Sequence, residues 1–396
     1  MKKRFLLSIL SAAVLSTMVA CNTTEVSKSN SESATESQVV ENVETSSDVD
    51  TYSDYDKLTI KTDWETKGTI TFSDDDMTID GSGASDEDGI LYITEGGAYT
   101  LTGTSSSASI LINTEENVKL VLDGVELTST TGPVIYGAQV KNLYIELAAG
   151  TTNNLADSDN YETDSEGEEV GKAVISCNDD LIILGEGTLS VTANHKHGIA
   201  SDDKLYIEAG VINVNSNVSD GIRANDLLCI DGGTVNVTSV NEGMESKQTI
   251  IINDGEITVN SVDDGINATS YIEINGGTVS VTSSENDAID SNGGFDGCIT
   301  INGGTVNASG AQMPEGGLDA DEASVIINGG KVTATGGCNS PIIENGGDND
   351  ITGETFAGGD FGGGQGGPGK DFDPDNMPEP PEGATPPNME RKDLKK

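Results

Sequence analysis

Three adjacent segments of the chain decide its fold: DGIRANDLLCIDGGTVNVTSVN (residues 220–241), EGMESKQTIIINDGEITVNSVD (242–263) and DGINATSYIEINGGTVSVTSSEN (264–286). They follow one another without a gap, and each repeats the pattern of the one before it after about 22 residues. Such a fixed period is typical of stacked units that cannot bury their apolar faces alone. Clear copies cover residues 173–338, and looser strand patterns extend the expected domain to 57–352.

Each copy contains three short runs that favour β-strands. The runs at 272–274 and 279–281 alternate apolar with polar residues, and an Asn-Gly-Gly turn separates them. A third run follows the Gly-Ile pair near the start of the copy. Three strands joined by turns, repeated without helical segments, predict an all-β fold: a single-stranded parallel β-helix, or solenoid, with coils of about 22 residues. A β-propeller is excluded because each of its blades needs about 40 residues.

The chain is strongly acidic, with 67 Asp and Glu against 20 Lys and Arg and a formal net charge of −47. This charge excludes a function in which the protein itself attracts nucleic acids or anionic membrane surfaces. An anionic partner would need a cation as intermediary. Aromatic residues make up only 4% of the 396 residues and glycines number 49, which favours a repetitive, turn-rich structure over an aromatic-centred core.

The two ends of the chain have compositions unlike the repeat. Residues 1–20 have the basic start and apolar run of an export signal, and Cys21 follows them as in a bacterial lipobox. We therefore expect an exported lipoprotein on the extracellular face of the cell membrane, held there by its lipid anchor only. The alternative is ordinary secretory cleavage with Cys21 incidental. Residues 21–56 are expected to be a disordered acidic Ser/Thr tether, and 353–396 a disordered Gly/Pro-rich tail.

Acidic residues recur at two positions of the repeat, so a β-helix would stack them into columns about one strand spacing apart. Like charges this close repel one another unless a cation neutralises them. Calcium accepts oxygen ligands in irregular geometry, so the sequence predicts a Ca²⁺ site. The candidate ligands are Glu242, Glu245, Asp263, Asp264, Asn267, Asp287, Asp290 and Asp319. The alternative is that they are solvated turn residues.

Arg223 is the only arginine between Arg4 and Arg391, and the repeat places it one coil below Glu245. It is either a salt-bridge partner that caps the acidic column or a weak candidate for a catalytic base or uronate-binding group. His195 and His197 are expected at surface turns. The cysteines after Cys21 do not recur at equivalent positions of the repeat, so we expect free thiols.

Segments 241–268, 286–294 and 316–337 resemble the signature of a calcium-binding β-helix family described as carbohydrate-binding, found on polysaccharide-degrading anaerobes. The resemblance implies a right-handed parallel β-helix similar to pectate lyases, bound calcium, and affinity for polygalacturonate and cellulose without an established activity. His197 stands where the family often has Asp, and Asn-Asp-Ala at 286–288 stands where it has Gly-Asp-Gly.

These patterns favour a monomeric, non-catalytic cell-surface protein whose calcium-loaded acidic face binds a plant-type polysaccharide, an acidic pectic polymer or cellulose. Two alternatives stay open. One is an enzyme on polygalacturonate: a calcium-dependent lyase with a basic side chain, or a hydrolase with paired carboxylates. The other is a structural surface adhesin in which calcium is only a staple.

Overall fold

The computed structural model describes residues 59–352, except 75, 164–166, 295–296, 313–314, 322 and 339. Its 33 strands form an all-β parallel solenoid of about ten turns with coils of about 23 residues, which confirms the predicted fold class. The handedness of the coil stays a prediction. No helix in the described part of the chain is long and apolar enough to cross a membrane. Cys21, the expected signal peptide and tether, and the expected tail from 353 lie outside the described residues.

The first coils are closed by two antiparallel pairs, and the chain then winds over three faces. The pairs are β1 (Thr66–Ser73) with β2 (Asp76–Gly81) and β3 (Ala84–Glu87) with β4 (Ile90–Ile93). Two long strands, β5 (Gly97–Ser105) and β7 (Val118–Thr128), bend from the second face onto the third and join them in one sheet.

Face 1 is a separate parallel sheet of short strands. After β4 it contains β6 (Ser109–Asn113), β8 (Ile135–Gln139), β11 (Ala173–Cys177), β14 (His197–Ser201), β17 (Ile222–Ala224), β20 (Met244–Ser246), β23 (Ile266–Ala268), β26 (Ile289–Ser291) and β29 (Leu318–Asp319). In its centre Ile222 pairs with Met244 and Met244 with Ile266, so neighbouring coils are offset by 22 residues (244 − 222 and 266 − 244).

Faces 2 and 3 are the two halves of the larger sheet. Face 2 consists of β9 (Asn142–Leu147), β12 (Asp180–Gly185), β15 (Lys204–Ile207), β18 (Leu227–Ile230), β21 (Thr249–Ile252), β24 (Tyr271–Ile274), β27 (Cys298–Ile301), β30 (Val325–Ile327) and β32 (Ile342–Glu344). Face 3 consists of β10 (Thr152–Ala156), β13 (Thr188–Ala193), β16 (Val211–Ser216), β19 (Thr234–Ser239), β22 (Glu256–Ser261), β25 (Thr278–Ser283), β28 (Thr305–Ser309), β31 (Lys331–Thr335) and β33 (Asp348–Thr352).

The core is a set of apolar columns inside the coil. Ile250, Ile272 and Ile299 stack on face 2, and Val259 and Val281 stack on face 3, all essentially without exposure. These residues are the apolar members of the alternating runs, because side chains of a strand point in and out by turns. The apolar residues of each coil are buried against those of the neighbouring coils, so a coil is stabilised by its neighbours and would not be stable alone. Within the described part of the chain, the cysteines at 177, 229, 298 and 338 form no disulfide bond.

Face 2 also carries apolar side chains on its outer surface. Tyr144, Tyr206 and Ile251 point away from the core column, yet they are at most 3% exposed. Trp64 packs edge-on against Tyr144 with ring centroids 4.9 Å apart. These tyrosines are therefore not open rings on which a sugar could stack.

An asparagine ladder runs along the turn between faces 2 and 3. Asn302 donates from Nδ2 to Oδ1 of Asn275 at 2.8 Å, and its own Oδ1 accepts from Asn328 at 2.7 Å. The ladder continues to Asn253 and Asn345. It arises because each coil repeats an Asn or Asp just before its Gly-Gly turn, so the amides lie one strand spacing apart.

We expect Asn302→Ala to lower the free energy of unfolding by about 1–3 kcal/mol, because both neighbouring amides lose a hydrogen-bond partner. Urea unfolding followed by circular dichroism measures the change. Thr282→Ala, at an exposed position of face 3, is the control and should change stability by less than about 0.5 kcal/mol. Equal stability of the two variants would show that the ladder adds nothing.

Candidate functional site

The outward positions of face 1 form the first of the two predicted columns. Arg223 pairs in register with Glu245, Glu245 with Asn267, Asn267 with Asp290, and Asp290 with Asp319. Each of the first four is the middle residue of a three-residue strand, so its neighbours on both sides point into the core while it points out. The sequence alignment of this column is thereby confirmed.

The second column lies at the corner just before each strand of face 1. Its members Asp220, Glu242, Asp264 and Asp287 are linked through the backbone: the amide of Gly243 donates to the carbonyl oxygen of Asp264 at 2.9 Å. Gly265 donates in the same way to Asp287 at 3.0 Å. The corner therefore brings each side chain of this column beside the first column.

The two columns divide into a basic end and an acidic end. At the basic end the Arg223 guanidinium lies between Asp220, 3.1 Å away, and Glu245, which it also contacts. Lys247 pairs with the second oxygen of Glu245. His197 Nδ1 lies 3.0 Å from Asp220. Basic side chains therefore accompany the buried carboxylates in these two coils.

The acidic end contains Asp264, Asn267, Asp287, Asp290 and Asp319. Asn267 donates to Asp264 at 2.7 Å and to Asp290 at 3.2 Å. One carboxylate oxygen from each of Asp287, Asp290 and Asp319 lies within 4.8 Å of the other two. Among the described residues no Lys, Arg or His forms an ion pair with Asp264, Asp287 or Asp290.

The carboxyl pKa values follow this division. Burial and the charges of Asp264 and Asp287 raise the pKa of Asp290 to about 9. Burial raises the pKa of Asp264 to about 6, against the hydrogen bond from Asn267. Burial and the charge of Asp319 also raise the pKa of Asp287. The surroundings of the acidic end therefore disfavour the negatively charged form of these three carboxyl groups.

The basic end shows the opposite behaviour at its most buried carboxyl. Burial by itself would raise the pKa of Asp220, but the hydrogen bond with His197, supported by those with Glu242 and Asn241, lowers it below its usual range. Burial and the neighbouring Asp220 raise the pKa of Glu242. The surroundings of Asp220 thus favour its charged form, whereas those of Glu242 favour its neutral form.

The structure does not gather all eight predicted ligands. Glu242 and Glu245 lie at the basic end, and Glu245 is already paired with Arg223 and Lys247. Asp263 accepts a hydrogen bond from Asn286 at 2.7 Å outside the acidic group. The other five predicted ligands, at 264, 267, 287, 290 and 319, do come together.

Sequence reasoning left out several partners of the site. Asp220 is a member of the second column and is only 1% exposed, but it is not among the eight predicted ligands. Ser340 donates to Asp319 at 2.9 Å, and the backbone amide of Gly316 donates to Asp287 at 2.6 Å. Gly316 lies where the offset between paired residues grows to 29 (318 − 289), and Ser340 lies after the last clear copy, so the 22-residue period points to neither.

The two histidines, predicted at surface turns, are partly exposed, and each contacts an acidic side chain. His197 contacts Asp220 and is 14% exposed at its side chain. His195 stacks on Tyr161 with ring centroids 4.4 Å apart and lies 3.0 Å from Glu169. His195 thereby links Tyr161 and Glu169, which precede β11, to the solenoid.

The acidic end offers a donor set that fits calcium in its chemistry. Its four carboxylates and the side-chain oxygen of Asn267 are hard oxygen ligands, the kind that calcium accepts in irregular arrangements. Arg223, the weak candidate for a catalytic base, forms ion pairs with the carboxylates of Asp220 and Glu245, and a catalytic role for it stays a prediction.

Known proteins resemble the chain along most of the described part. A family profile described as "Carbohydrate-binding domain-containing protein" matches residues 87–249 and 232–360. A protein of the same description from Acetivibrio thermocellus is 36% identical over 135 residues, 33% of this chain and 47% of that protein. The chain thus spans about half the length of this relative. The solved structure of the polysaccharide lyase-like protein from C. thermocellum, a gadolinium derivative, is 25% identical with a TM-score of 0.45, covering 73% of this chain and 96% of its own.

Proposed function

This chain belongs to the family of carbohydrate-binding domain-containing proteins, and on that premise we propose that it binds an acidic polysaccharide through calcium held at the acidic end of face 1. The polymer is a polygalacturonate-like, pectic chain whose carboxylates complete the coordination of the ion. The observation that carries this proposal is the group of Asp287, Asp290 and Asp319, whose oxygens lie within 4.8 Å of one another.

Charge explains why a cation is needed in this proposal. With a formal net charge of −47, the chain repels a polyuronate at long range. Removal of the expected signal peptide with Lys2, Lys3 and Arg4 makes the charge more negative (−47 − 3 = −50). A divalent ion between protein and polymer carboxylates turns this repulsion into attraction at the point of contact. It also relieves the repulsion within the acidic end itself.

Face 3 favours a neutral polysaccharide such as cellulose as a second ligand. Three columns of side chains point outward between β13 and β28. Two of them hold twelve side chains, and every one is Asn, Ser or Thr without being buried, whereas the third includes Val211 and Glu256. The twelve are Ser190, Thr192, Asn213, Asn215, Asn236, Thr238, Thr258, Asn260, Ser280, Thr282, Asn307 and Ser309. An uncharged array of donors and acceptors suits a ligand that is itself uncharged and rich in hydroxyls.

In the cell, we place this domain on the extracellular side of the membrane. The sequence features that support this placement are the export signal and the lipobox-like Cys21. Two or more acyl chains on Cys21 would hold the protein stably at the membrane. Mass spectrometry of the membrane fraction, with and without a Cys21→Ser substitution, tests the anchor.

Binding to immobilised polygalacturonate and to cellulose tests both ligands with the chain from residue 22 onward. We expect retention on polygalacturonate in calcium, and at least about tenfold weaker retention in chelator or in Asp287→Asn/Asp290→Asn. The variant Asp254→Asn/Glu256→Gln removes the same charge from exposed positions and should bind like the parent. Retention on cellulose should be indifferent to chelator.

Absorbance of unsaturated uronate in the same samples separates binding from catalysis. A constant absorbance agrees with a binding protein, whereas rising absorbance would make the protein a lyase. Calcium uptake without retention on either polymer would refute the binding proposal, and the structural adhesin would then be the remaining hypothesis.

A further inference from the structure

Arg223 occupies a position of the fold that the four following coils fill with oxygen-bearing side chains. It is stacked in register below Glu245, Asn267 and Asp290 in the outer column of face 1. Its Nη1 atom contacts a carboxylate of the corner column, Asp220, and a carboxylate of the next coil, Glu245. One guanidinium nitrogen thus bridges two acidic side chains of adjacent coils.

The coils above repeat this geometry without the cation. Asn267 lies between Asp264 of its own coil and Asp290 of the next, at 2.7 Å and 3.2 Å. Arg223 lies in the same way between Asp220 of its own coil and Glu245 of the next. The amide of Asn267 donates hydrogen bonds but brings no charge, so Asp264 and Asp290 keep their mutual repulsion.

Formal charges measure the difference between the two ends. Asp220, Glu242 and Glu245 carry three negative charges when ionised, and Arg223 and Lys247 carry two positive ones (−3 + 2 = −1). Asp264, Asp287, Asp290 and Asp319 carry four negative charges when ionised. A divalent ion approaching the first group would meet a fixed positive charge within a few ångströms, which is strongly unfavourable in a partly buried site.

We infer that Arg223 is a built-in counter-ion: it takes, in its own coil, the place that calcium takes in the coils above, and so confines cation binding to the acidic end. This inference rests on the proposed calcium site. It assigns Arg223 a role in determining where the metal binds, and it explains why the basic end retains buried carboxylates without needing an ion.

Exchanging the two kinds of side chain tests the inference. Arg223→Gln replaces the guanidinium by a neutral side chain whose oxygen can be a metal ligand. We expect this variant to bind one additional calcium ion per chain. Asn267→Arg puts a guanidinium between Asp264 and Asp290, and we expect loss of calcium from the acidic end together with a higher melting temperature in chelator. The calcium count comes from equilibrium dialysis with metal analysis, and circular dichroism checks that each variant is folded.

Matched substitutions control for size and charge. Arg223→Lys keeps the positive charge and should bind as many calcium ions as the parent. Asn267→Gln stays neutral and should keep the calcium of the acidic end. If the larger side chain at 267 prevents folding, the comparison of Arg223→Gln with Arg223→Lys still shows whether the positive charge at 223 excludes calcium.

The outcomes separate this inference from the proposed function. Unchanged calcium counts in folded Arg223→Gln and Asn267→Arg would overturn the counter-ion role while the calcium site stands. A parent protein that binds no calcium, beside an Arg223→Gln variant that binds one ion, would refute the calcium part of the proposed function and support the role of Arg223.

Discussion

Replacement of both Asp287 and Asp290 by asparagine is expected to stabilise the calcium-free protein at pH 8 and to abolish its response to calcium. Burial and neighbouring carboxylates raise the pKa of Asp290 to about 9 and also raise that of Asp287. A carboxyl group whose pKa is raised in the folded state supports folding fully below its ordinary pKa of about 4. That contribution is lost as pH rises towards the folded-state pKa.

The calcium-free parent should therefore lose stability steadily between about pH 4 and about pH 9. The double variant lacks these two titrations, so at pH 8 its free energy of unfolding should exceed that of the parent by on the order of 3 to 5 kcal/mol. Calcium should raise the stability of the parent at pH 8 and leave the variant unchanged, because the ion neutralises the carboxylates that the variant lacks.

Urea unfolding at pH 5 and pH 8, each in calcium and in chelator, measures all of these differences. The exposed-charge variant Asp254→Asn/Glu256→Gln is the matched control and should follow the parent. A parent whose stability in chelator is equal at the two pH values would contradict the buried, uncompensated state of the acidic end. A variant that still gains stability from calcium would place the ion elsewhere.

Gly243→Val is expected to unfold the central coils. A Cβ atom on Gly243 would lie 2.1 Å from Cγ1 of Val259 and 2.5 Å from the carbonyl oxygen of Gly265. Both contacts are far inside van der Waals distance, and the carbonyl belongs to the backbone of the next coil, which cannot move aside alone. Overpacking of this kind costs at least about 3 kcal/mol.

The equivalent corner one coil beyond Gly265 supplies the control. Ala288 stands there, since Ile266 pairs with Ile289, and its methyl group is fully buried. Ala288→Gly removes that methyl group and should cost only about 1 kcal/mol. Thermal unfolding of both variants measures the contrast. A Gly243→Val protein that melts within a few degrees of the parent would show that the corner can open without loss.

Much of the fold follows from local pattern. The alternating runs place Ile272 and Val281 in the core, and the 22-residue period alone aligns Arg223 with Glu245 and Asn267. The alternating pattern predicts that Tyr206 points outward, but it does not predict which side chains cover an outward residue. The buried outer surface of face 2 was therefore not predicted. The partners of Asp287 and Asp319 beyond residue 309 were not predicted because the repeat is interrupted there.

The 22-residue period is enough to predict the solenoid, its coil length and the stacking of acidic residues, because a strict period forces equivalent residues into columns one strand spacing apart. The division of those residues into a basic and an acidic end is visible only in three dimensions. The distances from Arg223 to Asp220 and Glu245, and the approach of Asp319 to Asp287 and Asp290, depend on corner geometry and side-chain direction, which a one-dimensional pattern does not contain. An aspartate beside a guanidinium and an aspartate beside another carboxylate are the same residue type in the sequence. Their pKa values shift in opposite directions only because different side chains lie next to them in space.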